Sequence, residues 1–144
     1  MAEKKENIAR LIVVLPMFMG ALMKGSNFET AVQLNSSEAR SLIYIYKHEG
    51  GTMSEYSKRV GLARGSFTAV ADSLEEKGLV ARVSASDDRR KCALMLTGSG
   101  KKIAREIDLQ FKRHLAARLE SLSGEDLSSL EKSLKVIAAI SEKL

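Results

Sequence analysis

Several residue types that build function elsewhere are almost missing from this chain. Its single cysteine, Cys92, rules out an intrachain disulfide, so nothing ties the protein to an oxidising compartment. Its two histidines, His48 and His114, stand far apart and cannot assemble a zinc cage of the usual Cys/His type. There is one proline, no tryptophan, and only four Phe and three Tyr in 144 residues. So few breakers among so many Leu, Ala, Lys, Glu and Ser residues favour helix. The length allows one compact domain, or a small domain with an extension. No nucleophile–base pair or metal set can be named, which leaves an enzymatic role without residues to carry it, and no cofactor is implied.

A strong excess of charge is lacking too. The net charge is +5, from 23 Lys and Arg against 18 Asp and Glu. Residues 1–57 are balanced, whereas 58–91 hold eight basic and five acidic side chains and 101–144 hold nine and seven. The basic excess is densest in the middle, where it favours an anionic partner.

Residues 11–23 (LIVVLPMFMGALM) carry no charge. At 13 residues the run is shorter than the roughly 20 needed to span a bilayer. Glu3 and Glu6 spoil a signal-peptide start, and no small-x-small cleavage site follows. A helix apolar on nearly every side must be enclosed by protein, and a second subunit is the natural source. Pro16 should kink or divide it.

Downstream, Asn35 and Glu38 form a capping box that starts a helix on Leu42, Ile45 and Tyr46, stopped by Gly50-Gly51. Thr52 and Glu55 repeat the device for a short helix on Met53, Tyr56 and Val60, closed by Gly61. Another helix begins near Arg64 and runs to Lys77, so the pair reads as a helix-turn-helix. The period then changes to two, over 79–84 and again over 92–96. The polar tip between these strands carries Arg89, Arg90 and Lys91 and makes the hairpin a wing. Thr97-Gly98-Ser99-Gly100 launches a long helix with Ile103, Ile107, Phe111, Leu115, Leu119 and Leu122 inward. Ser123 recaps the chain for a last helix on Leu127, Leu130, Leu134 and Ile137.

At 100° per residue, Phe67, Val70, Ala71 and Leu74 share one apolar sector of the second helix of the pair. The opposite sector holds Gly65, Ala69, Asp72 and Glu76, flanked by Ser66, Thr68 and Ser73, with Arg64 at its entrance. Its first two turns are slim and free of acids, as entry into a major groove requires; Asp72 and Glu76 should lie further from the phosphates. Ser66, Thr68 and Ser73 can bond base edges or phosphates, and Ala69 can touch a thymine methyl. A cationic wing tip beside that helix would reach phosphates or a minor groove.

Residues 52–62 (TMSEYSKRVGL) and 74–82 (LEEKGLVAR) resemble the winged-helix core of the MarR (multiple antibiotic resistance regulator) family. Asp88-Arg89-Arg90 and Leu96-Thr97-Gly98-Ser99-Gly100 resemble its wing motifs, D-x-R followed by L-T-x-x-G. The match covers residues 34–144. The resemblance implies a mainly α fold with a small β-hairpin: a winged helix-turn-helix domain over 35–100 and a helical dimerisation domain from 1–34 and 101–144. It implies a cytoplasmic homodimeric regulator, often a repressor, that binds a pseudo-palindromic duplex operator and is released by a small aromatic or phenolic effector. No membrane partner is implied. By position, Ser54, Arg64, Gly65, Ser66, Thr68, Ala69, Ser73, Arg89, Arg90 and Lys91 would contact DNA, and Asp88 would hold the hairpin. Two departures stand out. Ala63 replaces a frequent Ser cap, and Ala69 replaces a frequent Arg, shifting the burden from direct reading to phosphate contacts and DNA shape. A rival expectation follows from these losses, namely a winged-helix module that binds protein or titrates another regulator.

The remaining signals are weaker. Cys92 follows two cations that would favour a thiolate, but its alternation with Leu94 and Leu96 argues for a structural role. Gly98-Ser99-Gly100-Lys101-Lys102 fails as a phosphate loop because Met95 and Lys102 stand at required positions. Asp87-Asp88 at a hairpin tip lacks the desolvation that splits a catalytic pair.

Overall fold

The computed structural model describes residues 1–62, 64–84 and 92–144, and for Arg64 and Gly65 the backbone only. In chain order the elements are α1 (Ala2–Leu11), α2 (Val14–Met23), α3 (Ser36–Lys47), α4 (Met53–Val60), α5 (Arg64–Glu76), β1 (Val80–Ser84), β2 (Cys92–Leu96), α6 (Gly98–Leu119) and α7 (Gly124–Ser141). The chain folds as two compact units, one of residues 1–26 with 112–144 and one of residues 27–111.

Capping sets the register of the 27–111 unit. The Asn35 side chain accepts from the Glu38 amide at 2.9 Å, and the Glu38 carboxylate accepts from the Asn35 amide at 2.9 Å. Thr52 and Glu55 do the same for α4, at 3.2 and 2.7 Å. Gly61 adopts φ 74°, a left-handed backbone that reverses the chain between α4 and α5 without a Cβ clash. β1 and β2 pair antiparallel, with Val80 opposite Leu96 and Ser84 opposite Cys92. A bridge from Thr52 to Ala93 adds the start of α4 to this sheet, and the Leu94 amide donates to the Gly51 carbonyl at 3.2 Å. That long-range pairing has no local signature in the sequence.

One core fills this unit. Leu42, Ile45, Tyr56, Phe67, Ala71, Leu74, Leu79 and Leu94 are each at most 1% exposed, joined by Ile103, Ala104 and Ile107 of α6. The unit therefore extends past residue 100. Tyr56 fastens it by donating its phenol to the His48 carbonyl at 2.5 Å and accepting from the Gly51 amide at 2.9 Å. Burial, with the charges of Glu49 and Glu55, pushes that phenol above its usual range against the Gly51 bond. Where α6 begins, Thr97 accepts from the Gly100 amide at 3.0 Å and donates to the Gly78 carbonyl at 2.6 Å. A Cβ on Gly100 would lie 1.9 Å from the Leu79 carbonyl oxygen, so only glycine lets the helix approach the strand there. This contact supplies the physical reason for a glycine in the L-T-x-x-G motif.

The other unit is built differently. Neither α1, α2 nor α7 buries a single residue. Between α1 and α2, Ile12 and Val13 keep helical dihedrals, but the Leu15 amide reaches back only three residues, to Ile12, at 3.1 Å. Pro16 explains the break, since its ring displaces the carbonyl four residues earlier, on Ile12. The helical stretch Ala2–Met23 has a window of mean hydropathy 1.5, long and apolar enough to cross a membrane by composition. It therefore outruns the uncharged segment seen in the sequence, because helix continues through Glu6 and Arg10, which pair at 2.6 Å. The α2 carbonyls of Ala21 and Leu22 are capped from α6, by Arg118 at 2.8 Å and by His114 Nε2 at 2.7 Å. Of the stripe expected to face inward, Leu122, Leu127, Leu134 and Ile137 stay 37–48% exposed in the single chain. A large part of each is left open to solvent.

Candidate nucleic-acid interface

α5 exists because Phe67, Ala71 and Leu74 are buried against α3 and α4 while its other side is small. On that other side Ser66, Thr68 and Ala69 are exposed and uncharged, as expected for the first two turns. Ser54 is exposed on the first turn of α4. Arg64 and Gly65 lie at the start of α5. Asp88, Arg89, Arg90 and Lys91, with Ala63, lie outside the described residues.

Two of the acids further along α5, Asp72 and Glu75, do not stand alone. Arg82 of β1 pairs with Asp72 through its guanidinium and reaches Glu75 at 3.8 Å, and its amide donates to Glu75 at 3.3 Å. The Asp72 hydrogen bond outweighs partial burial and holds the guanidinium still more firmly protonated. The strand leading into the wing is thereby pinned to the helix, and two carboxylates that would repel phosphate are matched by a cation. Sequence reasoning missed Arg82. Period-two alternation gives a strand residue its face, not its partner ten positions upstream.

Ser73 is a correction to the expected set. Its hydroxyl is half-buried and donates to the Glu38 carboxylate at 2.5 Å, so it faces α3 rather than the open side of α5. Glu38 is 3% exposed and also accepts from Lys77 Nζ at 2.8 Å, while Lys77 reaches the Gln33 carbonyl at 2.8 Å. Burial pushes the Glu38 carboxyl up, but bonds from Lys77, Ser73 and the Asn35 amide and the charge of Lys77 prevail, holding it below its ordinary 4.5. A helical wheel put Ser73 at the edge of the open face; a carboxylate buried beneath that edge draws it inward.

Cys92 is half-buried at the start of β2, opposite Ser84. His48 ends α3 and stacks on Tyr44, with ring centroids 4.5 Å apart. Among the described residues no group of three or more His, Cys, Asp or Glu side chains is placed to hold a metal ion.

The sequence and the fold are similar to those of known proteins. Residues 34–92 match the MarR family. The chain is 30% identical over 114 residues to the HTH-type transcriptional regulator FarR of Neisseria gonorrhoeae, covering 78% of each. Its fold is similar to that of a MarR family protein from Bacillus stearothermophilus, with TM-score 0.74, 26% identity, and 96% and 97% of the two chains covered. It is also similar to the fold of Streptococcus pneumoniae FabT, solved in complex with DNA, with TM-score 0.66, 24% identity, and 99% and 97% covered. The chain thus belongs to the MarR family of winged-helix, DNA-binding transcription regulators.

Proposed function

We propose that the protein is a cytoplasmic homodimeric repressor that grips a pseudo-palindromic operator with two copies of α5 and is released by a small effector. The observation that carries it is the outer side of α5, neutral and exposed at Ser66, Thr68 and Ala69, with the acid Asp72 beyond them ion-paired to Arg82. A slim uncharged leading edge enters a major groove, where the hydroxyls bond base edges and Ala69 meets a thymine methyl. Arg64 and Ser54 approach flanking phosphates, and Gly65 lets the backbone come close. In the wing, Arg90 enters the minor groove, Arg89 and Lys91 hold phosphates, and Asp88 braces the hairpin. The similar fold of FabT, solved in complex with DNA, supports DNA as the partner.

The dimerisation domain draws on residues 1–34 and 101–144 and the DNA-binding domain on 35–100, with Ile103, Ala104 and Ile107 at the start of α6 packed into the core of the 27–111 unit. Exposed apolar side chains on both α2 and α7, such as Met17 at 69% and Val136 at 57%, favour a second copy as the occupant. Glu6 and Arg10 within the N-terminal helical stretch argue against a bilayer, which charges enter at high cost. The effector is a small aromatic or phenolic molecule, as the family resemblance implies.

The test is a gel shift of the full chain with DNA from its own upstream region at several salt concentrations. A retained fragment whose affinity falls steeply with salt is expected, because Lys and Arg displace counterions from phosphates. Arg90→Ala should weaken binding across most sequences, and unchanged affinity at fixed salt would remove the wing from the interface. No duplex preference at low salt, together with capture of a related regulator, would favour a protein-binding module.

A further inference from the structure

We propose that Glu38 is a positioning residue for base reading, a buried carboxylate on α3 that sets how α5 is turned about its own axis. The inference rests on α5 being the reading element. The apolar contacts of Phe67, Ala71 and Leu74 hold α5 against the core, but such contacts are non-directional and tolerate small rotations. Glu38 adds direction. One oxygen accepts from Ser73 on the last turn of α5 at 2.5 Å and the other from Lys77, the residue just past the end of α5, at 2.8 Å. The second oxygen also takes the Asn35 amide at 2.9 Å, and Lys77 ends on the Gln33 carbonyl at 2.8 Å. The last turn of the reading helix and the residue that follows it are therefore both tied to the capped start of α3.

The lever is short and the tolerance small. A helix with its side chains is about 10–12 Å across, so a turn of about 10° moves its outer atoms by roughly 1 Å. Hydrogen bonds to base edges weaken steeply at that displacement, whereas phosphate contacts from flexible Lys and Arg side chains adjust. Loss of the tie should therefore erode discrimination between sequences more than affinity for DNA as such. The carboxylate, whose pKa these bonds lower, is charged at neutral pH and keeps the tie ionic.

The experiment compares the wild type, Glu38→Gln, Ser73→Ala and the double variant as full-length protein. Each is titrated against the upstream duplex that the wild type prefers and against a scrambled duplex, with folding followed by circular dichroism and urea midpoint. In Glu38→Gln the single remaining oxygen serves only one side of the node. Operator affinity should fall about tenfold while scrambled-duplex affinity and salt slope stay within about twofold. Ser73→Ala, the milder variant, should lose about threefold in the same ratio, and the double variant should lose no more than Glu38→Gln alone. An unchanged ratio in the folded variants overturns the positioning role and leaves α5 as the reader. Additive losses would mean that Ser73 touches DNA itself and also overturn it. No preference in the wild type removes both the role and the reading helix.

Discussion

The two units of this chain answer the same question, where to put apolar surface, in opposite ways. Residues 27–111 close a core on themselves, with Leu42, Ile45, Leu74 and Leu94 fully buried. Residues 1–26 and 112–144 leave Leu11, Met17, Val136 and Ile140 at least half exposed. The contrast teaches where each unit's specificity comes from. A closed core fixes the small outer face of α5, whereas an open apolar face leaves surface for the proposed second copy to cover.

The comparison breaks first at Gly100. Replacing it with Ala forces a Cβ into the Leu79 carbonyl and should cost about 3 kcal/mol, read as a lower urea midpoint. A midpoint within error of the wild type would mean that the α6 start has room to shift. Leu134→Lys probes the open unit. It should weaken self-association by about 2 kcal/mol in sedimentation while monomer helicity persists; an unchanged dimer would take this face out of the interface.

Smaller effects sharpen the contrast within the closed unit. Arg82→Ala uncovers Asp72 and Glu75 and should reduce operator affinity about five- to tenfold, with unfolding free energy changed by under about 1 kcal/mol. Equal operator binding would show that those carboxylates lie beyond the reach of phosphate. Acid titration gives the mildest signal. The Glu38 carboxyl sits below 4.5 in the folded state, so its stabilisation is complete above the unfolded value and is lost as pH falls through the folded one. Glu38→Gln should flatten that acid limb of the stability curve, and an unaltered slope would assign it to other carboxylates.

What could be foreseen from sequence divides by range. The capping boxes at Asn35 and Thr52, the turn at Gly61 and the apolar sector of α5 are local patterns, and each appears where spacing puts it. Contacts between distant residues were not legible. Arg82 meets Asp72 across two elements, Thr52 bridges Ala93, and Gly100 touches a carbonyl twenty-one positions earlier. Ser73 shows how the two ranges collide, because its helical phase is compatible with the open face until a buried Glu38 claims its hydroxyl. The outward stripe of α7 was visible as periodicity, but a heptad-like pattern does not say whether its own chain or another covers it.

The most direct measurement is an anisotropy titration of Ala69→Glu beside the wild type on the preferred upstream duplex. A carboxylate at the centre of the exposed α5 face should abolish specific binding while circular dichroism is unchanged, since Ala69 is exposed and supports no core contact. Wild-type affinity in that variant would contradict the entry of α5 into the groove.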